Sequence, residues 1–180
     1  GPKAVIDYSF HLIVSDPTPQ ALQHDLPDLI RKGYTSFKVY TTYDKLKLDD
    51  GQMLDVLHTA GREGALVMVH AENNDIIKWI AQRLLDNGHV APKFHAVSHD
   101  PLAESEATHR VIALSRLLDV PVLIVHVSGI EAVRHIRSAQ SGAQAKAKID
   151  DDARAHQHGQ MPHPFPQGAF QPYLGWRLEQ

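Results

Sequence analysis

One lysine and two histidines are the residues of this chain best suited by type and position to do chemistry. Lys38 lies in SFKVY, His70 ends LVMVH, and His126 lies in LIVHV, three segments apolar enough to form buried strands. Lysine is rarely buried without a partner, and burial lowers its pKa because it disfavours the charged form. Neutral imidazoles are common metal ligands. The three residues are therefore the first candidates for a functional site.

The elements that position these residues alternate between apolar strands and amphipathic helices. Near-continuous apolar strands separated by helices predict a parallel sheet covered by helices, in the α/β class. An open doubly wound sheet and a (β/α) barrel both fit this pattern. The predicted strands are 4–14, 36–40, 65–70 and 120–127; the predicted helices are 19–33, with a break at Pro27, then 49–64, 74–88, 101–119 and 129–142; residues 89–100 are predicted to be a loop.

In parallel α/β folds the carboxyl ends of the strands form the active-site edge. Lys38, His70 and His126 each lie at or near such an end, about one to two βα units apart. A single histidine at a strand end is more often structural, and a single lysine usually extends to solvent. Three such residues at one edge favour a shared site.

Composition excludes several functional classes. The 180 residues are 43% hydrophobic and 22% charged, with a net charge of −3, so no basic surface for nucleic acid is expected. No apolar run is long enough to span a membrane, and no signal peptide is recognisable. The chain has no cysteine, so a metal site would use histidine and oxygen ligands, and a cytoplasmic location is expected.

The chain is predicted to change character near residue 143. Residues 143–180 are rich in proline and have no hydrophobic period, which is typical of loops or disorder. We therefore expect an ordered α/β unit at 1–142 and an irregular or disordered tail at 143–180.

Four segments, read in order, resemble one family. YTSFKVYTTY, GALVMVHAEN, ESEATHRVIAL and VPVLIVHVSG are similar to segments of the D-hydantoinase/dihydropyrimidinase family of cyclic amidohydrolases, and the likeness extends over about residues 4–140. The resemblance implies a TIM (β/α)8 barrel, of which this chain would supply about four parallel strands, roughly the third to the sixth. It also implies a site for two metal ions, usually Zn2+.

The resemblance also implies roles for individual residues. Lys38 would be carboxylated on its amine, and this N6-carboxylysine would bridge the two zinc ions, while His70 and His126 would hold one of them. Tyr43 would be catalytic and substrate-binding, through a hydroxyl that contacts the substrate carbonyl. Glu106 and Arg110, at i,i+4 spacing in ESEATHR, are interpreted as a structural pair on a helix.

The family's remaining ligands, an HxH motif in the first barrel strand and an aspartate after the last, have no counterpart here. His11 and His24 form no HxH motif, HQH at 156–158 is interpreted as a coincidence, and the aspartates at 150–152 as a solvated charge run. We therefore expect a truncated, frameshifted or degraded gene product with little or no activity of its own.

The function expected of the intact protein is metal-dependent hydrolysis of a hydantoin or dihydropyrimidine ring. Alternatives are an allantoinase or dihydroorotase-like hydrolase and a non-catalytic dihydropyrimidinase-related scaffold. The implied partner is a small cyclic amide or ureide, with no nucleic acid and no membrane. Complete family members are expected to be homo-oligomers, either dimers or tetramers.

Overall fold

The computed structural model describes residue 3 and residues 5–154, with side chains described through residue 142. The chain divides into two units, residues 1–142 and 143–180, and the first holds every strand described here. The described strands are β1 (Leu12–Ile13), β2 (Ser36–Tyr40), β3 (Leu66–His70) and β4 (Val122–Ile124). The described helices are a π-helical turn (Ala21–Asp25), α1 (Leu26–Arg31), α2 (Asp50–Glu63), α3 (Asn74–Asp86), α4 (Phe94–Ser98), α5 (Pro101–Leu118) and α6 (Ile130–Arg154).

The four strands form one parallel sheet in the order β1-β2-β3-β4. Neighbouring strands are thus consecutive along the chain, and the order never reverses, as it does in a doubly wound sheet. Of the two arrangements left open by the strand pattern, this topology is that of a (β/α) barrel. The predicted α/β class with four parallel strands and covering helices is confirmed.

Alternating burial shows how the helices cover the sheet. Phe37, Val39, Val67 and Val69 are fully buried, and they belong to the main hydrophobic core together with residues of α2 and α5. Residues between them in sequence lie on the opposite face and are only partly buried. The helices therefore pack on one face of the sheet, and the other face carries Lys38, Tyr40 and His70.

Local signals define the ends of the helices that adjoin the site. Asp49 begins α2 in a capping box with Gln52, and Gly64 ends it with a left-handed φ of 76°. Asn73 caps α3 by accepting hydrogen bonds from the amides of Asp75 and Ile76. These caps fix where the loops after β2 and β3 end. No helix in the described part of the chain is long and apolar enough to cross a membrane.

Several predicted boundaries were wrong. The strand expected over 4–14 is only Leu12–Ile13, and Val5 and Ile6 remain exposed, because β-branched residues favour strands only where a neighbour covers them. The predicted loop 89–100 contains α4, whose five residues are too few to show a helical period. β4 is shorter than 120–127.

The last helix also differs from its prediction. It was expected over 129–142, but α6 runs from Ile130 to Arg154 and continues past the predicted start of the tail. Residues 155–180, which include HQH at 156–158, lie outside the described residues. The irregular character of the tail remains a prediction there.

Candidate functional site

The register of β2 against β3 places the first candidate residues on one face. Tyr40 pairs with His70 and Lys38 pairs with Met68, so all four lie on the face that the helices leave uncovered. His70 is the last residue of β3, as predicted. Lys38 is the middle residue of β2, whose bounds are those predicted from the sequence.

The side chain of Lys38 nevertheless reaches toward the carboxyl edge. Its Nζ lies 3.8 Å from the centroid of the Tyr40 ring, and the Tyr40 ring lies 5.8 Å from the ring of His70. Lys38 Nζ also donates a hydrogen bond of 3.3 Å to the carbonyl oxygen of Val39. The four-carbon side chain thus compensates for the position of Lys38 within the strand.

His126 joins this group from β4. It lies two residues beyond Ile124, where the amide of Val125 still donates to the carbonyl of Val69 over 3.1 Å. The centroids of the His70 and His126 rings are 4.5 Å apart, with an angle of 70° between the ring planes. The two histidines predicted from the sequence therefore meet at the carboxyl edge of the sheet.

Tyr43 lies in the loop after β2 and faces the same histidine. Its ring centroid is 5.1 Å from that of His70 and 5.9 Å from that of Tyr40, and the residue is 45% exposed. Its carbonyl accepts hydrogen bonds of 2.8 Å from the amides of Leu46 and Lys47, which form the turn that carries it.

Two of these residues have an uncommon backbone conformation. Tyr43 has a φ of 68° and His126 a φ of 42°. Among the described non-glycine residues, the left-handed region is otherwise occupied only by Asp119, at the end of α5. This conformation is unfavourable for residues with a Cβ atom and often accompanies functional sites, where surrounding contacts hold it in place.

Burial lowers the pKa of two basic groups of the site, Lys38 and His70. It lowers the pKa of Lys38 to about 8, so a substantial fraction of its amine is neutral at slightly alkaline pH. The pKa of His70 is lowered, mainly by burial and further by His126 and Lys38, although the neighbouring carboxylate of Glu72 raises it. The His70 imidazole is therefore mostly neutral at pH 7, which is the form that binds metal ions.

The hydroxyl of Tyr43 shows the opposite behaviour. Burial raises its pKa, and the charge of Glu72 and the neighbouring Tyr40 raise it further. The phenol therefore keeps its proton throughout the neutral range and is available as a hydrogen-bond donor.

The sequence interpretation assigned no role to Glu72 and Thr41. The Nε2 atom of His70 lies 2.5 Å from Glu72 Oε2, so this carboxylate orients the ring. Thr41 is buried, and its hydroxyl accepts a hydrogen bond from the Glu72 amide at 2.9 Å and lies 2.8 Å from the Glu72 carbonyl oxygen. The available signal was the position of Glu72 two residues after His70, on the same face of an extended chain.

The donor set is suitable for a metal ion. Two imidazoles with adjacent rings suit zinc, and a carboxylated Lys38 would add oxygen donors on the same face. Among the described residues, no group of three or more histidine, cysteine, aspartate or glutamate side chains is arranged to hold a metal ion. Lys38 is therefore the residue on which a third protein ligand depends.

Comparisons with known proteins found relatives in both sequence and structure. A D-hydantoinase from Geobacillus stearothermophilus is 44% identical over 141 residues, which are 77% of this chain and 30% of that protein. A D-hydantoinase from Ralstonia pickettii is 41% identical over 152 residues, or 82% of this chain and 33% of that protein. The crystal structure of dihydropyrimidinase from Brevibacillus agri matches with a TM-score of 0.75 and 43% identity, covering 78% of this chain and 31% of that one. No family model matches the chain.

The chain spans about a third of the length of the curated relatives it matches. The matches cover most of the chain, and the consecutive parallel strands with helices on one face are part of the TIM-barrel fold of these relatives. The resemblance carried by the four sequence segments is thereby confirmed, and the chain belongs to the D-hydantoinase/dihydropyrimidinase family.

Proposed function

We propose that Lys38, His70 and His126 are metal ligands in a protein that hydrolyses a cyclic amide, such as a hydantoin or a dihydropyrimidine. The observation that carries this proposal is the 4.5 Å separation of the two histidine rings beside Lys38 at the carboxyl edge of the sheet. The names of the relatives, D-hydantoinase and dihydropyrimidinase, support the reaction class.

We propose that Lys38 acts as a carbamate rather than as an amine. The neutral amine attacks carbon dioxide, a nitrogen–carbon bond forms, and one proton leaves to solvent. The product is an anion with two oxygen donors. A pKa of about 8 supports this role, because the reaction needs the unprotonated amine.

The remaining residues of the site would orient the ligands and the substrate. When bound, a pair of divalent metal ions would supply Lewis-acid polarisation of the ring carbonyl and activation of water. Glu72 would hold His70 in one tautomer through Nε2, which leaves the other ring nitrogen for the metal. Tyr43, which keeps its proton, would donate a hydrogen bond to the oxygen that becomes negative during ring opening.

We propose that the 180-residue chain alone has little or no hydrolytic activity. The family resemblance implies further ligands and a proton-shuttling aspartate for which this sequence has no matching segments. Two histidines and one carbamate would provide the ligands of one metal ion, whereas a two-metal site needs more.

Zinc titration by calorimetry, with and without bicarbonate, tests the ligand assignment. We expect weak binding without bicarbonate and tighter binding with it. Lys38→Ala and Lys38→Arg should both lose the bicarbonate dependence, since neither side chain can form the carbamate. Lys32→Ala, which removes an exposed lysine after α1, should behave as the unmodified chain.

The same samples test the proposal that the 180-residue chain has little or no hydrolytic activity. Ring opening of hydantoin and of dihydrouracil should stay near background for every version of the chain. Clear turnover by the unmodified chain would overturn the proposed inactivity, and zinc binding that is unaffected by bicarbonate would overturn the carbamate role of Lys38.

A further inference from the structure

Two carboxylates of α5 contact the loops that carry the two histidines. Glu104 binds the loop after β4, and Glu106 binds the loop after β3. We propose that Glu104 and Glu106 are positioning residues that set the separation of His126 and His70, although neither touches the rings. The proposal rests on the proposed function only where metal binding is concerned.

Glu104 makes the stronger of the two contacts. Its Oε1 accepts a hydrogen bond of 2.8 Å from the Ser128 amide, and its Oε2 accepts one of 2.5 Å from the Gly129 amide. Both amides precede α6 and point toward the carboxylate, as in an anion-binding loop. One side chain thus fixes two consecutive peptide groups just after His126.

This contact is possible because Gly129 has no Cβ atom. A Cβ atom at this position would lie 2.7 Å from Glu104 Oε2, closer than such atoms approach one another. Any other residue at position 129 would therefore displace the carboxylate. The glycine in HVSG and the first glutamate in ESEATHR are consequently parts of one contact, although they lie on different elements.

The backbone of His126 needs such support. Its φ of 42° is unfavourable for a residue with a Cβ atom and persists only where neighbouring contacts impose it. β4 has three residues, and the carbonyl of His126 accepts a long hydrogen bond of 3.3 Å from the Ser128 hydroxyl. Glu104 supplies the two strongest hydrogen bonds described for this loop.

Glu106 makes the corresponding contact on the other side of α5, where it binds the loop after β3. Its Oε2 accepts a hydrogen bond of 2.6 Å from the Asn73 side chain, and the Asn73 amide donates to the Ala103 carbonyl over 2.9 Å. Asn73 is the residue that caps α3, three positions after His70. Arg110 holds Glu106 at 3.0 Å and Asp50 at 2.5 Å, so this carboxylate is itself oriented.

The two contacts share one rigid element. Residues two positions apart on a helix point about 200° away from each other, so Glu104 and Glu106 can reach loops on opposite sides of α5. The helix is anchored by Ala103, Ala107 and Val111, which are fully buried. α5 therefore acts as a spacer between the two histidine loops.

Proton NMR of the metal-free chain tests the positioning directly. Rings whose centroids are 4.5 Å apart should give a nuclear Overhauser effect between His70 and His126. Glu104→Ala and Gly129→Ala should each weaken or abolish it, because each removes the same carboxylate contact. Glu106→Ala should weaken the nuclear Overhauser effect as well, because it frees the loop that carries His70.

Glu131→Gln is the matched control. Glu131 lies in the first turn of α6, close in sequence to Gly129, but pairs with Arg134 on the surface. Glu131→Gln removes a charge near the same helix end but leaves the hydrogen bonds from the Ser128 and Gly129 amides to Glu104 in place. It should therefore leave the nuclear Overhauser effect between the rings unchanged. A weakening in this control equal to that in Glu104→Ala would mean that helix-end charge, not the hydrogen bonds, is responsible, and would overturn the proposal.

Zinc affinity provides the second readout. Loss of a residue that orients a ligand typically costs 10- to 100-fold in metal affinity, and we expect about tenfold for Glu104→Ala. Retention of both the ring–ring effect and zinc affinity in Glu104→Ala and Gly129→Ala would overturn the proposal. Should the unmodified chain bind no zinc, the proposed function fails, while the ring–ring effect still decides the role of Glu104. Circular dichroism identifies variants that have unfolded, and Glu104→Gln, which keeps the side-chain size, then replaces Glu104→Ala.

Discussion

The loops after β3 and β4 each carry a histidine to the same edge, but they are held in different ways. The loop after β3 is tied to the neighbouring strand, where Thr41 contacts both His70 and Glu72. The loop after β4 lies at the end of a three-residue edge strand and depends on Glu104, which comes from a helix. The loop that carries His70 therefore has contacts to both the sheet and α5, whereas the residues just after His126 are held mainly by one side chain, Glu104.

This difference follows from the position of each strand in the sheet. β3 pairs along its whole length with β2 and on its other edge with β4, whereas β4 has no partner on its outer edge within the described residues. A strand with one partner has fewer backbone hydrogen bonds to define where its loop begins. His126 is consequently the more easily displaced of the two proposed ligands.

The largest effect is expected where the loop after β3 meets Thr41. Thr41→Val keeps the shape but removes the buried hydroxyl, which leaves the half-buried amide of Glu72 without its partner. An unsatisfied buried donor costs about 1–3 kcal/mol, so we expect the free energy of unfolding to fall by about 2 kcal/mol in urea denaturation. Zinc affinity should fall with it, because Glu72 orients His70.

Thr108→Val is the matched control for that experiment. Thr108 is fully buried, and its Oγ1 has no hydrogen-bond partner among the described residues. The same substitution there removes an unsatisfied polar atom and should leave stability unchanged or raise it. Equal losses in Thr41→Val and Thr108→Val would show that the hydroxyl contacts of Thr41 do not hold the loop.

A smaller effect on stability is expected from Lys38, with a defined pH dependence. Burial lowers its pKa from 10.5 to about 8 in the folded chain. Below about pH 8 both folded and unfolded chains carry the proton, and the folded state bears the cost of burying the charge. Between about pH 8 and 10.5 only the unfolded state is protonated, so the stability of the folded state rises with pH.

Comparison with Lys38→Met isolates this contribution from other titrating groups. The free energy of unfolding should increase from pH 8 to 10.5 more in the unmodified chain than in Lys38→Met, when both are measured without carbon dioxide. Parallel profiles for the two proteins would contradict a lowered pKa at Lys38 and weaken the case for a carbamate.

Glu72→Gln is expected to change the pKa of one ring, that of His70. The hydrogen bond and the charge of Glu72 raise the pKa of His70 against the larger effect of burial, so loss of the charge should lower the pKa of His70 further. NMR titration of the ring should therefore show a midpoint at lower pH than in the unmodified chain. Glu63→Gln, which changes an exposed pair with Arg62, should leave that midpoint in place. An unchanged or higher midpoint in Glu72→Gln would contradict the contact.

Sequence reasoning identified the fold and the candidate residues because their signals are local. The apolar strands flanking Lys38, His70 and His126 placed these residues near one edge, and the repeated βα pattern predicted the parallel sheet that the topology confirms. Their proposed metal-binding roles came from the family resemblance and remain predictions.

The contacts that hold the site could not be predicted in the same way. Two contacts form only after separate elements have packed: that of Thr41 with Glu72 and that of Glu104 with Gly129. Their spacing in the sequence therefore does not predict them. Short elements were missed for a related reason, since α4 has too few residues to display a period. The left-handed backbone of His126 depends on these same tertiary contacts.

The smallest effect is expected from removing the tail. We propose that residues 1–142 contain all of the site present in this chain, because every described contact of Lys38, Tyr43, His70 and His126 lies within this range. A chain ending at Gly142 should keep the ring–ring effect and the zinc affinity of the full chain, with and without bicarbonate. A chain ending at Arg154, which retains all of α6, should give the same values. His126→Ala in the shortened chain should reduce zinc affinity as it does in the full chain. A loss of affinity on removal of 155–180 alone would instead assign a ligand to that segment, where His156 and His158 would be the first residues to replace.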